Sequence, residues 1–279
     1  MKNILTFDIE EYFQVENFKQ EISRCEWEEQ ESRVNVGTDI ILKILSDYKA
    51  KATFFVLGWI AEKHPEIIKK IAGEGHEIGS HGYLHELIYK QTRDEFSDDI
   101  KRSIEILENI TGDKVISYRA PSFSITEESL WALDVLLELG IKYDSSIFPI
   151  RHHRYGIHNA KRFPYVIRRK GEKILTEFPI STISVMGKRI PFSGGGYFRI
   201  LSACVSTNMA KRLNKQGYPL IMYHHPWEFD INQPKINADI LSKFRHYYNI
   251  RITQEKLRYC LEHIELGTLK DCAEEVNLK

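Results

Sequence analysis

Short apolar segments alternate with amphipathic helical segments along most of this chain, and that order limits its fold more than any other feature. The β-rich runs lie at residues 4–8, 51–57, 115–118, 141–144, 174–178 and 219–223. The segments between most of them carry apolar residues at helical spacing. Among these we predict a helix capped by Thr38, one that begins with a capping box at Thr92–Glu95 and one over 126–139. This order predicts parallel strands joined by crossover helices. No G-x-G-x-x-G motif follows the first run, which disfavours a dinucleotide-binding fold.

Chemically active side chains follow several of these strands. They are Asp8, His81, Arg119, Asp144 and His225. Active sites of (β/α) barrels are assembled at the C-terminal ends of the strands in this way. We therefore predict an α/β fold, a single-domain deformed (β/α) barrel with parallel strands. No repeat or linker divides the 279 residues, so the domain is expected to span 1–279, with a helical extension from about 237.

Charge and composition exclude several classes of partner. Lys and Arg together number 39, as do Asp and Glu, so the net charge of zero gives no reason to bind nucleic acid. No run reaches the roughly 20 apolar residues that span a bilayer, so no integral membrane segment is expected. The four cysteines form no C-x-x-C pair, and the first apolar run is too short for a signal sequence. We expect a cytoplasmic protein.

The sequence Ser80-His-Gly-Tyr-Leu-His85 contains two histidines four residues apart. On one turn of helix, His81 and His85 would share a face and present their imidazoles to a common point. Two imidazoles and a carboxylate, with one position left open, suit a hydrolytic metal ion such as zinc. Without a carboxylate from elsewhere in the fold, this pair would be read as surface loop residues.

Asp8 and Glu10 supply that carboxylate. Residues i and i+2 of a strand point to the same face, so these two side chains project together while Ile9 turns into the opposite layer. One carboxylate can bind a metal while the other accepts a proton from water. The sequence therefore predicts a hydrolytic site that combines the first strand with the two histidines.

Two further motifs add polar groups to this prediction. Arg119 is suited to orient Asp8, and Pro121 begins a turn that can direct a following backbone N–H at a developing oxyanion. An apolar strand ends in His224-His225-Pro226 and offers an imidazole to protonate a leaving amine. Adjacent strand residues face opposite ways, so only one of the two histidines should enter the site.

In this order, the motifs resemble those of the polysaccharide deacetylases with a NodB-homology domain. The resemblance runs from about residue 3 to residue 230 and includes Thr53-Phe54-Phe55 and Gly75-His76-Glu77-Ile78. It implies a deformed barrel, a divalent metal, which we expect to be Zn²⁺, and removal of N-acetyl groups from amino sugars. It also assigns the late histidine, His225, as the acid, and we leave His224 to packing.

On this reading Asp8 is the catalytic base, supported by Arg119, and Glu10, His81 and His85 hold the metal. Substrate and oxyanion binding are assigned to Pro121, Ser122 and Trp227. Two residues differ from the common pattern of the family: Glu10 follows Ile9 where a second adjacent aspartate is usual, and Ser122 replaces a tyrosine. The usual late Asp-Trp motif is not visible.

Within the family, the chain looks closest to the branch associated with exosortase and exopolysaccharide gene clusters. The residues that carry this likeness are Asp8–Phe13, Ser193–Arg199 and His225–Glu228. The expected substrate is an acetylated amino-sugar polymer or oligomer, from an exopolysaccharide or a peptidoglycan precursor. The alternatives are an amidohydrolase acting on a small cyclic imide or ureide, and a catalytically silent sugar-binding module. Assembly into a homo-oligomer stays open.

Two other segments carry polar or flexible residues without an assigned role. The basic segment 148–173 is interpreted as a solvated loop, with a lid as the alternative. The run Gly194-Gly195-Gly196 suits either a flexible turn or a close backbone approach to a ligand.

Overall fold

The computed structural model describes residues 1–152 and 154–275 and shows the predicted alternation of strands and helices. The strands are β1 (Asn3–Ile9), β2 (Thr53–Val56), β3 (Glu77–Ser80), β4 (Ser117–Tyr118), β5 (Tyr143–Asp144), β6 (Tyr165–Lys170), β7 (Lys173–Glu177), β8 (Thr182–Val185), β9 (Lys188–Pro191), β10 (Ile221–His224) and β11 (Leu266–Gly267). The α-helices are α1 (Val34–Asp47), α2 (Gly58–Lys63), α3 (Pro65–Gly73), α4 (Arg93–Thr111), α5 (Ala132–Glu138), α6 (Gly195–Ile200), α7 (Ala203–Lys215), α8 (Ile240–Tyr247), α9 (Thr253–His263) and α10 (Leu269–Glu275). None of the described helices is long and apolar enough to cross a membrane.

Nine strands form one curved sheet in the order β10-β1-β2-β3-β4-β5-β7-β6, with β11 also paired to β1. Every pairing in it is parallel except that of β6 with β7. Strands β8 and β9 form a separate antiparallel hairpin. The predicted α/β fold with parallel strands is confirmed. Among the described residues no strand pairing joins β6 to β10, so the deformed barrel is not closed by hydrogen bonds.

Side-chain alternation along β1 and β10 separates two apolar layers. Leu5 and Phe7 of β1 belong to the larger cluster, which lies between the sheet and the helices. Ile4 of β1 and Ile221 and Tyr223 of β10 belong to a second cluster on the other face of the sheet. The period of two that the sequence shows therefore decides which residues face the interior of the barrel.

Several predicted helix boundaries need correction. We expected Thr38 to cap a helix, but α1 begins at Val34 and Thr38 is buried inside it. The predicted helix 126–139 is divided into a 3-10 turn at Glu127–Ser129 and helix α5. The capping box predicted at Thr92 is present, because its side chain accepts from the Glu95 N–H and Glu95 accepts from the Thr92 N–H.

Two longer segments also differ from expectation. The basic segment 148–173 contains strand β6, whose partner is β7, so it is not a structureless loop; residue 153 lies outside the described residues. The C-terminal extension is not only helical. Its strand β11 pairs with β1, which ties the end of the described chain to its beginning.

Two buried carboxyl groups meet where β5 pairs with β7. Asp144 and Glu177 are register partners, both are fully buried, and Asp144 Oδ2 and Glu177 Oε2 have no hydrogen-bond partner among the described residues. Burial raises the pKa of Asp144 to about 6, and burial together with Asp144 raises the pKa of Glu177 well above its usual value. The pair therefore holds a proton at neutral pH, because two ionised carboxylates in contact would repel each other.

The substitution Glu177→Gln is expected to remove part of the pH dependence of stability. Folding of the wild-type protein takes up a proton at this pair. The free energy of unfolding should therefore fall as the pH rises above the ordinary carboxyl pKa of about 4 and through the raised values. The variant takes up no proton at this position. The fall of its free energy of unfolding with pH should therefore be shallower by up to about 1.4 kcal/mol per pH unit. Urea unfolding at a series of pH values measures the slope, with the exposed Glu172→Gln as control. An unchanged slope would contradict the shared proton.

Candidate active site

A cavity of about 410 Å³ lies at the C-terminal ends of the central strands. It is within the range of volumes that ligand pockets occupy. The sequence-predicted residues that line it are Asp8, Glu10, His81, His85, Ser122, His225 and Trp227. The structure therefore brings together side chains from distant parts of the chain, as the barrel reading requires.

Glu10, His81 and His85 form a buried cluster whose ligand atoms all lie within 4.8 Å of one another. His85 Nε2 is 2.8 Å from Glu10 Oε2. Two imidazole nitrogens and a carboxylate oxygen are the donor set of many hydrolytic zinc sites. The residues present therefore fit a divalent metal ion.

The segment that carries the two histidines is a loop, so the predicted helical turn is wrong. Residues 81–87 have no helical structure, and His85 has a left-handed backbone with φ of 53°. The loop is held by Asp99 of α4, which accepts from the N–H groups of Tyr83 at 2.7 Å and Leu84 at 3.3 Å. The neighbouring Gly82 carbonyl accepts from the Gly58 N–H at 2.8 Å. These bonds, rather than helical spacing, bring the two imidazoles together.

Neighbouring groups determine the protonation states of His81 and Glu10. His81 Nδ1 lies 2.8 Å from the Arg119 carbonyl oxygen, which can only accept, so Nδ1 carries the proton and Nε2 is left as a ligand atom. Burial lowers the pKa of His81 to about 4, so the ring is neutral at neutral pH. Burial raises the pKa of Glu10, but the nearby His85, His225 and His81 together outweigh burial and lower that pKa to about 2. A neutral imidazole and an ionised carboxylate are the forms that bind metal.

Asp8 is held beside this cluster by a buried guanidinium. Arg119 Nη1 lies 2.7 Å from Asp8 Oδ1, and both side chains are almost completely buried. Arg119 also donates to Thr6 Oγ1 at 2.6 Å and, through Nε and Nη2, to the carbonyl and hydroxyl oxygens of Ser145. The predicted partnership of Arg119 with Asp8 is thus present in the structure, with Ser145 as an anchor that the sequence did not indicate.

The two adjacent histidines after β10 face opposite ways. His225 lines the cavity, and its Nε2 lies 3.9 Å from Asp8 Oδ2 and 3.8 Å from Glu10 Oε1. His224 is fully buried on the other face, between the rings of Phe7 and Phe198. Burial lowers the pKa of His224 to about 4. Of the two, His225 is the one placed to exchange a proton in the cavity.

Sequence reasoning missed the two residues that support His225. Its Nδ1 lies 2.8 Å from Glu228 Oε1, and the other oxygen of Glu228 lies 3.0 Å from Arg199 Nε. Burial lowers the pKa of His225, but Glu228 and the nearby Glu10 and Asp8 outweigh burial and raise it above its usual value. The sequence signal that could have indicated this support is Glu228, which lies three residues after His225 in a turn that begins with Pro226.

The residues assigned to substrate binding have different placements. Ser122 lines the cavity with φ of 52°, whereas Pro121 is absent from the described cavity lining. The N–H groups of Phe123 and Ser124 are bonded to the carbonyls of Ala120 and Pro121, so an oxyanion donor from this turn would have to be that of Ser122. Trp227 donates its indole N–H to Glu10 Oε1 at 3.1 Å and stacks on His225 at 4.8 Å. It therefore holds the site as well as lining it.

The triple-glycine run lies against Tyr223. A Cβ atom at Gly194 would stand 2.2 Å from a ring carbon of Tyr223 and 2.4 Å from its carbonyl oxygen. Gly195 and Gly196 line the cavity. The close backbone approach that the sequence allowed is thus made at Gly194 to an internal aromatic residue.

Comparison with known families divides the chain into two regions. Residues 5–143 match the family described as "Polysaccharide deacetylase". Residues 145–274 match a family described as "Domain of unknown function (DUF3473)". The first region contains Asp8, Glu10 and both metal-site histidines. The second contains His225 and its supports Glu228 and Arg199.

Among curated proteins, the chain is 43% identical over 98 residues to a peptidoglycan-N-acetylglucosamine deacetylase of Bacillus cereus, covering 35% of this chain and 36% of that protein. It is 36% identical over 112 residues to a peptidoglycan deacetylase of Helicobacter pylori, covering 40% of this chain and 37% of that protein. The match thus spans little more than a third of these relatives.

Among solved structures, the fold is similar to that of a protein assigned as a polysaccharide deacetylase from Mycobacterium smegmatis, with a TM-score of 0.65, 24% identity and coverage of 99% of this chain and 91% of that one. It is also similar to PuuE allantoinase, with a TM-score of 0.62, 15% identity and coverage of 97% and 88%. These likenesses show the fold alone. The family match is more specific: residues 5–143, which supply Asp8 and the Glu10–His81–His85 cluster, match the polysaccharide deacetylase family.

Proposed function

We propose that this protein is a metal-dependent hydrolase that removes N-acetyl groups from an amino-sugar oligosaccharide or polysaccharide. The observation that carries the proposal is the position of Asp8 and His225 beside the Glu10–His81–His85 cluster in one cavity. A carboxylate base, a metal site and an imidazole acid are the groups that amide hydrolysis requires.

Glu10, His81 and His85 would hold the metal, which supplies Lewis acidity to the acetamide carbonyl when it is bound. Asp8, oriented by Arg119, accepts the proton of the attacking water at its free oxygen Oδ2. His225 Nε2 then gives a proton to the nitrogen of the leaving amine, while Glu228 holds the Nδ1 proton. Trp227 and Ser122 border the space in which the acetyl group would sit.

The substrate class follows from the relatives, so it belongs to the proposal. Two of them are named for peptidoglycan deacetylation, which favours an acetylated amino sugar. The exosortase and exopolysaccharide assignment remains a prediction from the sequence. The cyclic-ureide alternative gains no support from the allantoinase, because that likeness concerns the fold alone. The cytoplasmic location is likewise part of the proposal; all four cysteines are free thiols.

Acetate release tests this function directly. The protein loaded with Zn²⁺ should release acetate from chitotetraose in its fully N-acetylated form and leave allantoin unchanged. Conversion of allantoin alone would replace the proposal by the ureide alternative. His81→Ala should lose both bound metal and turnover, because two remaining ligands hold zinc poorly. Metal content by mass spectrometry and acetate release measure the two effects. The exposed His263→Ala serves as control.

Asp8→Asn provides the matched comparison for the metal site. It should retain the metal while losing activity by about 10²–10⁴-fold, the usual contribution of a general base. Loss of metal from this variant would mean that the roles of Asp8 and Glu10 are exchanged. Stoichiometric metal in His81→Ala would overturn the ligand assignment.

His225→Ala should keep the metal, lose most of the activity and lose the alkaline limb of the pH–rate profile. The reason is that the acid acts in its protonated form, which is depleted as the pH rises through its raised pKa. His224→Ala is the control: it should lower stability by leaving a hole in the core, yet preserve the pH profile of the folded protein. The reverse pattern would move the acid to His224.

Glu228→Gln should shift the alkaline limb of the profile toward lower pH. The amide keeps an acceptor oxygen for His225 Nδ1 but removes the negative charge that favours the imidazolium. The rate constant kcat measured between about pH 6 and 10 reports the shift, and urea unfolding accounts for any loss of stability from the now unpaired Arg199. An unmoved limb would show that Glu228 only packs against the ring.

A further inference from the structure

Two arginines line the cavity in addition to the groups used in catalysis. Arg154 lies in the part of the basic segment 148–173 that precedes β6, and Arg245 lies on α8. Tyr155 lines the cavity together with them, and both arginines oppose the rise that burial causes in the pKa of its hydroxyl. The cavity lining is thus doubly cationic in a protein whose net charge is zero.

Neither guanidinium forms a close ion pair in the part of the chain that the structure describes, although Arg245 makes a minor contribution, after the hydrogen bonds from Ser242, to the lowered pKa of the exposed Asp239. Within the described parts of the chain no carboxylate forms an ion pair with Arg154 or Arg245. Arg154 Nη2 donates to the Asn17 amide oxygen at 3.0 Å, and its buried Nε has no hydrogen-bond partner among the described residues. The Arg245 carbonyl oxygen accepts from Arg199, and the Arg245 guanidinium makes no hydrogen bond among the described residues.

None of the acids in the described cavity lining forms an ion pair with these two arginines. Asp8 is paired with Arg119, and Glu10 lies 2.8 Å from His85. Glu16, the other acidic residue of the described lining, lies 3.8 Å from Lys19. An anion brought by a ligand would therefore meet little competition for the two arginines.

The neighbouring surface strengthens such a contact. Leu241, Phe244 and Tyr248 of the α8 region and Ile200 at the end of α6 line the mouth of the cavity beside Arg245. They are among the most exposed large apolar side chains of the described residues, at 40–57%. Apolar walls lower the local dielectric constant, so a charge pair formed beside them is worth more than one in open water.

We propose that the cavity selects an N-acetylated saccharide that carries an anionic group, and that Arg154 and Arg245 bind this group. The shared chemistry is a carboxylate or a phosphate, either of which accepts charge-assisted hydrogen bonds from guanidinium. That the ligand is an N-acetylated saccharide rests on the proposed function. It adds a specificity site on the wall that α8 and the segment before β6 provide.

Binding, rather than turnover, tests this site. Titration calorimetry compares a tetrasaccharide of alternating N-acetylglucosamine and glucuronic acid with its methyl ester, and N-acetylglucosamine 1-phosphate with N-acetylglucosamine. All titrations use the zinc-loaded Asp8→Asn background so that the ligand is not consumed. At low salt the anionic member of at least one pair should bind about tenfold or more tightly than its neutral counterpart. The preference should shrink with added salt.

Adding Arg154→Gln and Arg245→Gln together should reduce that ratio to about one. The matched control adds Arg169→Gln and Arg212→Gln, two exposed arginines away from the cavity, and should leave the ratio unchanged. Because each ratio is taken within one variant, a loss of folded protein does not mimic the effect. The pair that shows the preference identifies the carboxylate or the phosphate as the source of the anion.

Two results would overturn the inference: equal binding within both pairs, or a preference that survives the double substitution. Failure of the proposed function has a different signature. In that case the anionic ligand would still bind selectively, while the wild-type protein would release no acetate from either tetrasaccharide or from chitotetraose.

Discussion

The buried Arg119 guanidinium is the interaction on which the arrangement of this site depends. It is fully buried, lies 4.4 Å from the centre of the Phe55 ring, and donates to Thr6, Asp8 and Ser145. A charge removed from water is tolerated only when its donors are satisfied and an opposite charge is adjacent. This side chain therefore fixes β1, β4 and the chain after β5 relative to one another. The backbone carbonyl oxygen of Arg119 also orients His81.

The C-terminal half completes the site that the region matched to the polysaccharide deacetylase family begins. Strand β10 pairs with β1 in register Phe7↔His224, which brings His225 beside Asp8. Arg199 joins Glu228 to the carbonyls of residues 245, 246 and 248, so His225, its carboxylate partner and the region of α8 are held as one unit. The region described as a domain of unknown function thus supplies His225, the acid of the proposed mechanism, and part of the cavity wall.

The central strands and the candidate side chains of the site could be predicted because the alternation of apolar and polar residues is encoded locally in the sequence. The alternation of β1 placed Asp8 on the inner face with Ile4 and Thr6, and the same alternation separated His225 from His224. Helix boundaries were less secure, since Thr38 resembles a cap in sequence but is buried inside α1. Strand β6 was missed because its partner β7 follows a two-residue turn within a basic segment that looks solvated.

The sequence by itself determined the alternation of the central strands and helices and the faces of β1 and β10 on which Asp8 and His225 lie. It also identified Asp8, Glu10, His81, His85, Arg119 and His225 as candidates. Only the tertiary structure decided how they meet. The two histidines converge through a loop held by Asp99, not through helical spacing, and His225 is supported by Glu228 and Arg199. Such contacts join residues far apart in the chain, and their geometry is set by strand pairing and burial, which no local pattern encodes.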